Sequence, residues 1–328
     1  MTDALHALPE GTAVWKGHAT GNTFVFVDDP DDRLDITPET VRALCDLKTG
    51  IGGDGLIRAV KQDGTWFMDY RNADGSLAEM CGNGIRSFVD HLTQVGFISI
   101  DEGDSLPVMT RGGLRTVWQV ACPMDVAADG REQRSAAGGG PAEQTEEAGD
   151  LWYRVDMGPA VTTGEDDVAV QVIGLDGTFG GMRVAMPNPH TVIDVGDPTA
   201  VAAAVLPTTD VNEAPEVLRP TLVPDPVEGT NLELTADMTD TVADAGRGRL
   251  IMRVLERGVG ETRSCGTGCC AAAVAAAVRA GADSPSEWIV DIPGGQVLVE
   301  LPEDGPVGSE GSVYLTGPAT RIARVLPA

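Results

Sequence analysis

The sequence predicts a mixed α/β fold, of the α+β type, made of two related halves. Strand-like and helix-like segments alternate along the 328 residues, and 42% of the chain is hydrophobic, which is enough for a large core. The motif C-G-x-G occurs twice, at residues 81–84 and 265–268. A strand-like stretch that begins with Asn and ends in Asp precedes each copy, at 22–28 and at 188–194. Features that recur in the same order indicate an internal repeat.

Patterns in the first half indicate strands and a short helix. Residues 22–28 form an apolar, β-branched run typical of a strand, and residues 56–60 and 65–70 are similar. Residues 37–39, Thr-Pro-Glu, have the composition of a helix start, with an N-cap Thr, a Pro and an acidic residue in the first turn. We expect this helix to end at Gly50. Its buried face would contain Val41, Leu44 and Cys45.

Each C-G-x-G motif opens a predicted helix. After Cys81, apolar residues recur at helical spacing on one face, namely Ile85, Phe88, Val89 and Leu92. After Cys265, residues 269–280 are nearly all Ala, Val and Cys, which predicts a helix that is buried on all sides and closed by Gly281. A further strand is predicted at 151–157.

Composition indicates where the two halves divide. Residues 127–150 are rich in Ala, Gly, Glu and Gln and contain no aromatic residue, so we expect an acidic, flexible insertion there. We therefore place a first domain at 1–150, carrying Cys81, and a second domain at 151–317, carrying Cys265.

Charge and cysteine usage exclude several classes of function. The net charge is −27, so nucleic acid and anionic membranes would be repelled. The chain has neither an apolar run long enough to cross a membrane nor a secretory signal pattern, so we expect a cytoplasmic protein. The six cysteines form no C-x-x-C pair, and none lies near a His at zinc-finger spacing, so we expect no metal site. They are Cys45, Cys81, Cys122, Cys265, Cys269 and Cys270.

Two cysteines at helix starts suggest a particular chemistry. A helix N-terminus carries unpaired N–H groups and a partial positive charge, so it binds carboxylates and lowers the pKa of a nearby thiol. Glycines let the backbone come close to a ligand. If Cys81 and Cys265 face each other across a cleft, one can remove a proton from one face of a carbon while the other returns a proton to the opposite face. This pattern predicts an enzyme that inverts a stereocentre.

Three other functions compete with this prediction. Residues 50–55 fit G-x-G-x-x-G, but a helix is predicted before them and a strand after them, the reverse of a dinucleotide-binding site. A pyridoxal phosphate racemase needs a Schiff-base lysine, and the chain has only Lys16, Lys48 and Lys61, none in a cofactor motif. A non-catalytic amino-acid-binding protein remains as an alternative of another class, although two intact cysteines argue against it.

The sequence resembles the diaminopimelate epimerase family over nearly its whole length. The matching motifs, in order, are Gly21-Asn22-Thr23-Phe24, residues 50–55, Asn72-Ala73-Asp74-Gly75-Ser76, Met80-Cys81-Gly82-Asn83-Gly84 with Arg86, Asn188-Pro189-His190, Gly229-Thr230-Asn231, residues 256–262, and Cys265-Gly266-Thr267-Gly268. Proline and hydroxyproline racemases share the two-cysteine logic, but they typically carry His where this chain has Asn83. They remain the alternative of the same class.

The resemblance implies a fold and a set of roles. Each half would be a sheet or barrel around a central helix, with the active site in the cleft between halves, and residues 318–328 would return to the first half as a strand. Cys81 and Cys265 would be the acid and base, without cofactor or metal, in an enzyme that forms a homodimer. The reacting carboxylate would bind backbone N–H groups at Gly82, Asn83, Gly266 and Thr267. The reacting amino group would lie among Asn22, Asn188 and Glu256, and the far end of the substrate among Asn72, Asn231 and Arg257.

The resemblance leaves two points to test. His190 would lie near the site and tune a thiol. Some family members carry Gln where this chain has Gly55, so the contact made by that side chain must be absent here or supplied by another residue.

Overall fold

A computed structural model of the chain describes residues 8–9, 11–123, 151–239 and 246–325. The acidic insertion predicted at 127–150 lies outside the described residues. No helix in the described part of the chain has both the length and the apolar character needed to cross a membrane.

Strands and helices alternate in the first half as far as β7. In chain order the elements are β1 (Val14–Ala19), β2 (Asn22–Asp28), α1 (Pro38–Cys45), β3 (Gly55–Gln62), β4 (Thr65–Asn72), α2 (Gly82–Gln94), β5 (Ser105–Thr110), β6 (Gly113–Val120) and β7 (Leu151–Gly158).

The second half repeats this order with some additions. Its elements are β8 (Val161–Thr162), β9 (Val168–Gln171), β10 (Phe179–Ala185), β11 (Pro189–Asp194), α3 (Pro198–Ala203), β12 (Thr221–Val223), β13 (Asn231–Asp237), β14 (Arg247–Glu256), β15 (Gly260–Thr262), α4 (Gly266–Ala280), β16 (Glu287–Ile292), β17 (Gly295–Glu300) and β18 (Val313–Val325). Short 3₁₀ helices lie at Glu216–Leu218 and Gly281–Asp283.

The first half is a closed barrel around α2. Strands β1 to β7 pair in sequence order, and β18 pairs with both β7 and β1 to close the ring. Every residue of α2 from Gly82 to Leu92 is buried. The helix is therefore enclosed by the strands. It is buried on all sides, whereas its sequence pattern predicted a single apolar face.

The second half forms a corresponding ring around α4. The pairing runs from β18 through β17, β16, β14, β13, β11 and β10 to β8. Since β8 follows directly after β7, which itself pairs with β18, the chain closes this ring as well. The Ala-rich α4 is buried from Gly266 to Ala275. The predicted helix buried on all sides is confirmed, but it begins at Gly266.

Strand register relates the two halves residue by residue. In the first half β2 runs parallel to β3, with Phe24 beside Gly55. In the second half β11 runs parallel to β13, with His190 beside Asn231. Two residues further along each strand, Ile57 pairs with Phe26 in the first half and Glu233 pairs with Val192 in the second. Ile57 and Glu233 therefore occupy equivalent positions in the two halves. The predicted pseudo-symmetric fold is confirmed.

Local predictions hold with one exception. Thr37 caps α1, accepting a hydrogen bond of 3.2 Å from the Thr40 N–H. The helix ends at Cys45, however, and the predicted end at Gly50 is wrong. The reason is Asp46, whose carboxylate accepts hydrogen bonds from the N–H groups of Lys48 and Thr49 and so stabilises a turn.

The last strand links the halves. The first part of β18 pairs with β17, where Thr316 lies beside Leu298, and its last part pairs with β1, where Val325 lies beside Val14. On the other side, β7 pairs with β6 and places the Tyr153 hydroxyl 3.3 Å from the carboxylate of Asp90 on α2. The division of the chain at residue 150 stays a prediction.

Candidate active site

The cysteines of both C-G-x-G motifs lie at the N-caps of the central helices. Cys81 precedes α2 in an extended conformation, and its sulfur accepts a hydrogen bond of 3.3 Å from the Gly84 N–H. Cys265 precedes α4 in a similar conformation, with its sulfur 3.5 Å from the Thr267 hydroxyl. Cys265 is buried and Cys81 is half-buried. Each helix therefore presents one thiol at its positive end.

The two helices meet N-terminus to N-terminus. A Cβ atom on Gly266 would lie 3.2 Å from the Gly82 Cα atom and 3.3 Å from the Asn83 nitrogen. A Cβ atom on Gly82 would lie 2.9 Å from the Met157 methyl carbon. Only glycine allows this approach. Because two positive helix ends repel each other, an anion bound between them would be stabilised by both.

A buried network joins the two motifs across the interface. The side-chain amide nitrogen of Asn83 lies 3.2 Å from the carbonyl oxygen and 3.0 Å from the hydroxyl of Ser264, the residue before Cys265. The same hydroxyl lies 2.7 Å from that of Thr20. The Asn83 side chain therefore aligns the two cysteines, while its backbone N–H stays at the helix start.

On the Cys81 side, Asn22 faces the thiol. Its side-chain oxygen lies 3.8 Å from the Cys81 sulfur and 3.3 Å from the Asn83 amide nitrogen. Its amide nitrogen donates a 2.9 Å hydrogen bond to Asp54. The structure thus brings together Asn22, Cys81 and Asn83 as predicted, and it adds Asp54.

On the Cys265 side, ionisable groups surround the thiol. Glu256 accepts a hydrogen bond of 2.5 Å from the Thr262 hydroxyl, and the charges of Glu256 and Glu233 act on the Cys265 thiol. His190 is buried, with one ring nitrogen 2.7 Å from the carboxylate of the fully buried Glu233 and the other 3.1 Å from the Asn188 side-chain oxygen. A Cβ atom on Gly268 would lie 2.8 Å from that Glu233 carboxylate.

The expectation that the helix ends would lower both thiol pKa values is wrong for this structure. Burial raises the pKa of Cys81 to about 11, although hydrogen bonds from Gly84 and Asn83 oppose the shift. Burial, together with the charges of Glu256 and Glu233, raises the pKa of Cys265 well above its ordinary value. The pKa of Glu256 is itself raised, mainly by burial. Desolvation of the thiolate thus outweighs the helix ends.

The residues predicted for the far end of a substrate lie in two groups. The Asn231 side-chain oxygen accepts a 2.8 Å hydrogen bond from the Arg257 N–H, and the Asn231 amide nitrogen lies 3.5 Å from His190. The Arg257 side chain is exposed, donates to the Glu228 carbonyl at 2.7 Å and packs over Gly229, where a Cβ atom would lie 2.9 Å from it. Strand β14 ends at Glu256, so Arg257 lies just outside the strand.

Asn72 is the predicted residue with the fewest links to the rest of the site. It ends β4 beside Gly55, and its amide nitrogen donates a 3.0 Å hydrogen bond to Ser76 in its own loop. The Tyr70 ring occupies the space over Gly55, since a Cβ atom on Gly55 would lie 2.6 Å from that ring. The Tyr70 ring therefore takes the volume that a side chain at position 55 would need.

Sequence reasoning missed four residues that the structure places in the site. Asp54, Ser264 and Glu233 each contact a predicted site residue, and Tyr70 fills the space beside Gly55. Two of them could have been proposed from the sequence, because Asp54 lies within the motif at residues 50–55 and Ser264 lies beside Cys265. Glu233 carried a weaker one, a charged residue inside an apolar strand pattern.

The chain is similar to known proteins over most of its length. The profile of the family described as diaminopimelate epimerase matches residues 14–122 and 183–322. The chain is 38% identical to the diaminopimelate epimerase of Streptomyces coelicolor, over 95% of this chain and 93% of that protein. It is 39% identical to the diaminopimelate epimerase of Corynebacterium glutamicum, over 94% of this chain and 95% of that protein.

Solved structures share the fold at low sequence identity. A predicted epimerase from Pseudomonas aeruginosa superposes with a TM-score of 0.60 at 14% identity, covering 96% of this chain and 98% of that one. A hydroxyproline epimerase from Agrobacterium vitis superposes with a TM-score of 0.56 at 14% identity, covering 96% of this chain and 91% of that one. At this level of identity the likeness concerns the fold alone.

Proposed function

The chain belongs to the diaminopimelate epimerase family, and from this we propose that it interconverts LL-2,6-diaminopimelate and meso-2,6-diaminopimelate with Cys81 and Cys265 as acid and base. The reaction serves lysine and cell-wall precursor synthesis. The observation that carries the residue assignment is the meeting of two helix N-termini at Gly82 and Gly266, with a thiol at the cap of each helix.

The proposed step exchanges one proton for another. The thiolate of one cysteine removes the proton from the α-carbon, and the electron pair of that C–H bond passes into the adjacent carboxylate as an enolate. The other cysteine gives its S–H proton to the opposite face of the carbon. The configuration is inverted, the first cysteine is now a thiol and the second a thiolate, and the reverse reaction resets them.

Charge stabilisation comes from the backbone. The N–H groups at Gly82, Asn83, Gly266 and Thr267 lie in the first turns of α2 and α4, where unpaired N–H groups stabilise a carboxylate and, more strongly, the enolate that forms from it. Burial is the main cause of both raised thiol pKa values, and the negative charge of Glu256 adds to it; a substrate ammonium group beside Glu256 would offset that charge. Substrate binding therefore favours the thiolate that the reaction needs.

The two ends of the substrate are recognised separately in this proposal. Asn22, Asn188 and Glu256 bind the reacting amino group. Arg257 and Asn231 bind the far carboxylate and amino group, with Asn72 at the edge of the site. The supporting observation is that the Asn231 side chain lies between the two sets of residues, since it contacts His190 on one side and the Arg257 N–H on the other.

We extend the proposal to the setting of the enzyme. We propose that it acts in the cytoplasm as a homodimer and uses neither metal nor organic cofactor, since two thiols suffice for the proton exchange. Exhaustive chelation should leave turnover unchanged, and restoration of lost activity by an added metal would contradict this.

The deciding experiment is incubation of the purified protein with LL-diaminopimelate in D₂O. Formation of the meso isomer with deuterium at the inverted α-carbon is expected, and the rates of inversion and deuterium uptake should agree. Proline, hydroxyproline and glutamate at equal concentration serve as comparison substrates. Faster inversion of proline would replace diaminopimelate as the substrate while keeping the two-cysteine chemistry, and no inversion of any of them would support a binding protein instead.

A further inference from the structure

Asp54 terminates a chain of hydrogen bonds that passes beside Cys81. The chain begins at Arg86, which is fully buried and lies 2.5 Å from the Asn83 side-chain oxygen. The Asn83 amide nitrogen then lies 3.3 Å from the Asn22 side-chain oxygen, and the Asn22 amide nitrogen lies 2.9 Å from the Asp54 carboxylate. The Cys81 sulfur joins the chain at the Asn22 oxygen, at 3.8 Å.

The chemistry of the two ends fixes the direction of every bond in this chain. A guanidinium can only donate, so the Asn83 oxygen must face Arg86 and its nitrogen must face Asn22. A carboxylate can only accept, so the Asn22 nitrogen must face Asp54 and its oxygen must face Cys81. The donors thus point from a buried cation towards a carboxylate, an arrangement in which successive hydrogen bonds strengthen one another.

Asp54 is well placed to hold Asn22. The same carboxylate oxygen accepts the Asn22 amide, the Thr23 N–H at 2.7 Å and the Thr23 hydroxyl at 3.1 Å. The Asp54 N–H in turn donates to the Thr23 carbonyl at 2.8 Å. The start of β2 is therefore held against the start of β3 at the point where Asn22 turns towards the thiol.

The orientation of Asn22 matters for the state of Cys81. An amide oxygen accepts a hydrogen bond from a thiol but is repelled by a thiolate, whereas an amide nitrogen donates to a thiolate. The other charged or titratable groups that act on Cys81 are Glu256, Arg86 and Tyr70. None of these three is held by Asp54 in a hydrogen bond of the described structure, so Asp54 can act on the thiol through Asn22.

We propose that Asp54 is a positioning residue, which locks the Asn22 side-chain oxygen towards Cys81 and so keeps Cys81 in its thiol form until substrate binds. In the catalytic cycle the same oxygen then accepts a hydrogen bond from the substrate ammonium group. The second half of this statement rests on the proposed function, whereas the first concerns the ligand-free protein alone.

The test is the rate of iodoacetamide alkylation at pH 8, followed by mass mapping of the modified cysteines. Apart from the thiol, the Asn22 amide in Asp54→Ala keeps only the 3.3 Å contact with the Asn83 nitrogen, and that nitrogen also has the Ser264 carbonyl and hydroxyl as acceptors. Asn22 can then turn its own nitrogen to the sulfur, which favours the reactive thiolate. Cys81 should then react roughly tenfold faster than in the parent, a change equal to about one pKa unit. The exposed Cys122 is the internal reference and should keep its rate.

Two further variants separate positioning from other effects. Asp46→Ala removes a carboxylate that also accepts two backbone N–H groups and a Thr hydroxyl, but lies away from Asn22, and it should leave the Cys81 rate unchanged. In an Asn22→Ala background, Asp54→Ala should have no further effect on that rate. An equal acceleration in both backgrounds would overturn the proposal, because Asp54 would then act through its charge or through general loosening.

The experiment has separate controls for folding of the variants and for the proposed function. Thermal unfolding of each variant shows whether it is folded, and Asp54→Leu provides a version of similar shape that accepts no hydrogen bond if Asp54→Ala is not. A Cys81 rate that is unchanged in a folded Asp54 variant would also overturn the proposal. Because alkylation needs no turnover, failure of the protein to invert diaminopimelate would count against the proposed function without affecting this test.

Discussion

At the scale of single residues, the two thiols share a backbone position but not an environment. The side chain that lies against Gly84, behind Cys81, is Ile57, whereas Glu233 lies against Gly268, behind Cys265. Phe24 in the first half corresponds to His190 in the second. Cys81 therefore lies over an apolar layer and Cys265 over a hydrogen-bonded ionisable pair, so the two thiols have chemically unequal surroundings.

Replacement of either cysteine should abolish epimerisation, because each face of the carbon needs its own proton carrier. For Cys81→Ala and Cys265→Ala we expect inversion of LL-diaminopimelate to fall below detection, measured by chiral chromatography. The matched control is Cys270→Ala, which alters a buried cysteine of α4 that is not at the cap. Turnover near the parent level in either cap variant would rule out the two-thiol mechanism.

Arg257→Lys should weaken the binding of the far end of the substrate. Lysine keeps the charge but loses the two-pronged contact with a carboxylate, which typically costs about 2–5 kcal/mol at a desolvated site. The smaller end of this range is expected, because Arg257 is exposed in the ligand-free protein. Steady-state kinetics should show a lower kcat/KM for diaminopimelate. Arg249→Lys, whose ion pair is with Asp291, is the control, and an equal loss in both variants would remove Arg257 from the site.

At the scale of secondary structure elements, the proposed site lies where the N-termini of two helices touch. The Gly82 and Gly266 positions have no space for a side chain, since a Cβ atom on either would lie within about 3 Å of Leu315. The close approach concentrates unpaired N–H groups of both helices in one small region. Contact between the helices thus explains the first glycine of each C-G-x-G motif.

Gly266→Ala should separate the helix ends and reduce both stability and turnover. Overpacking of a well-packed interior typically costs about 1–3 kcal/mol, and displacement of α4 would move Cys265 relative to Cys81. Urea unfolding and epimerase assays measure the two effects. Gly246→Ala adds a methyl group where no other atom lies within 4 Å, so it should change neither. A Gly266→Ala variant with parent stability and activity would show that the contact is not needed.

The elements that sequence could predict are those defined by local patterns. The α2 helix, strands β2, β4 and β7 and the N-cap at Thr37 follow from periodicity and capping chemistry. Ring closure by β18 could not be predicted from local signals, because it pairs residues such as Val14 and Val325 that are distant in the chain. For the same reason the contacts Asn22–Asp54 and His190–Glu233 were missed, although the strand-like stretches that contain Asn22 and His190 were predicted.

Thiol pKa values show the other limit of sequence reasoning. A cysteine at a helix start predicts a lowered pKa, but the sign depends on burial and on neighbouring carboxylates that are brought in by the fold. Burial alone is the largest cause of the raised pKa at both Cys81 and Cys265. The position of the thiols was predictable, whereas their protonation state was not.

At the scale of the whole molecule, most charge lies on the surface and a few ionic groups are buried in networks. Asp69 is fully buried and forms ion pairs with Arg58, Arg71 and Arg111, which also donate to the backbone carbonyls of Leu34, Ile36 and Tyr70, respectively. Such networks lose stability only outside the neutral range, when a carboxylate is protonated. The alkaline limit is set by other groups, and these include the buried thiols.

Alkaline pH should destabilise the protein through its buried thiols, and Cys45 offers the cleanest test. Burial, with a smaller contribution from the charge of Asp54, raises the Cys45 pKa to about 12, whereas an unfolded thiol titrates near 8.5. The folded state thus holds this proton more tightly. Its stabilising contribution is complete below about pH 8.5 and is lost as the pH rises through the folded-state value.

Cys45→Ala isolates that contribution from those of all other groups. At pH 7.5 the variant should be less stable than the parent, because it leaves a small cavity in the cluster formed with Val41, Leu44 and Leu56. Between about pH 9 and pH 11 the parent alone loses about 1.4 kcal/mol per pH unit through Cys45, so the difference in unfolding free energy should shrink and then reverse. Urea unfolding at half-unit pH steps measures this difference. A gap that stays constant over that range would mean that the Cys45 thiol titrates equally in the folded and unfolded chains.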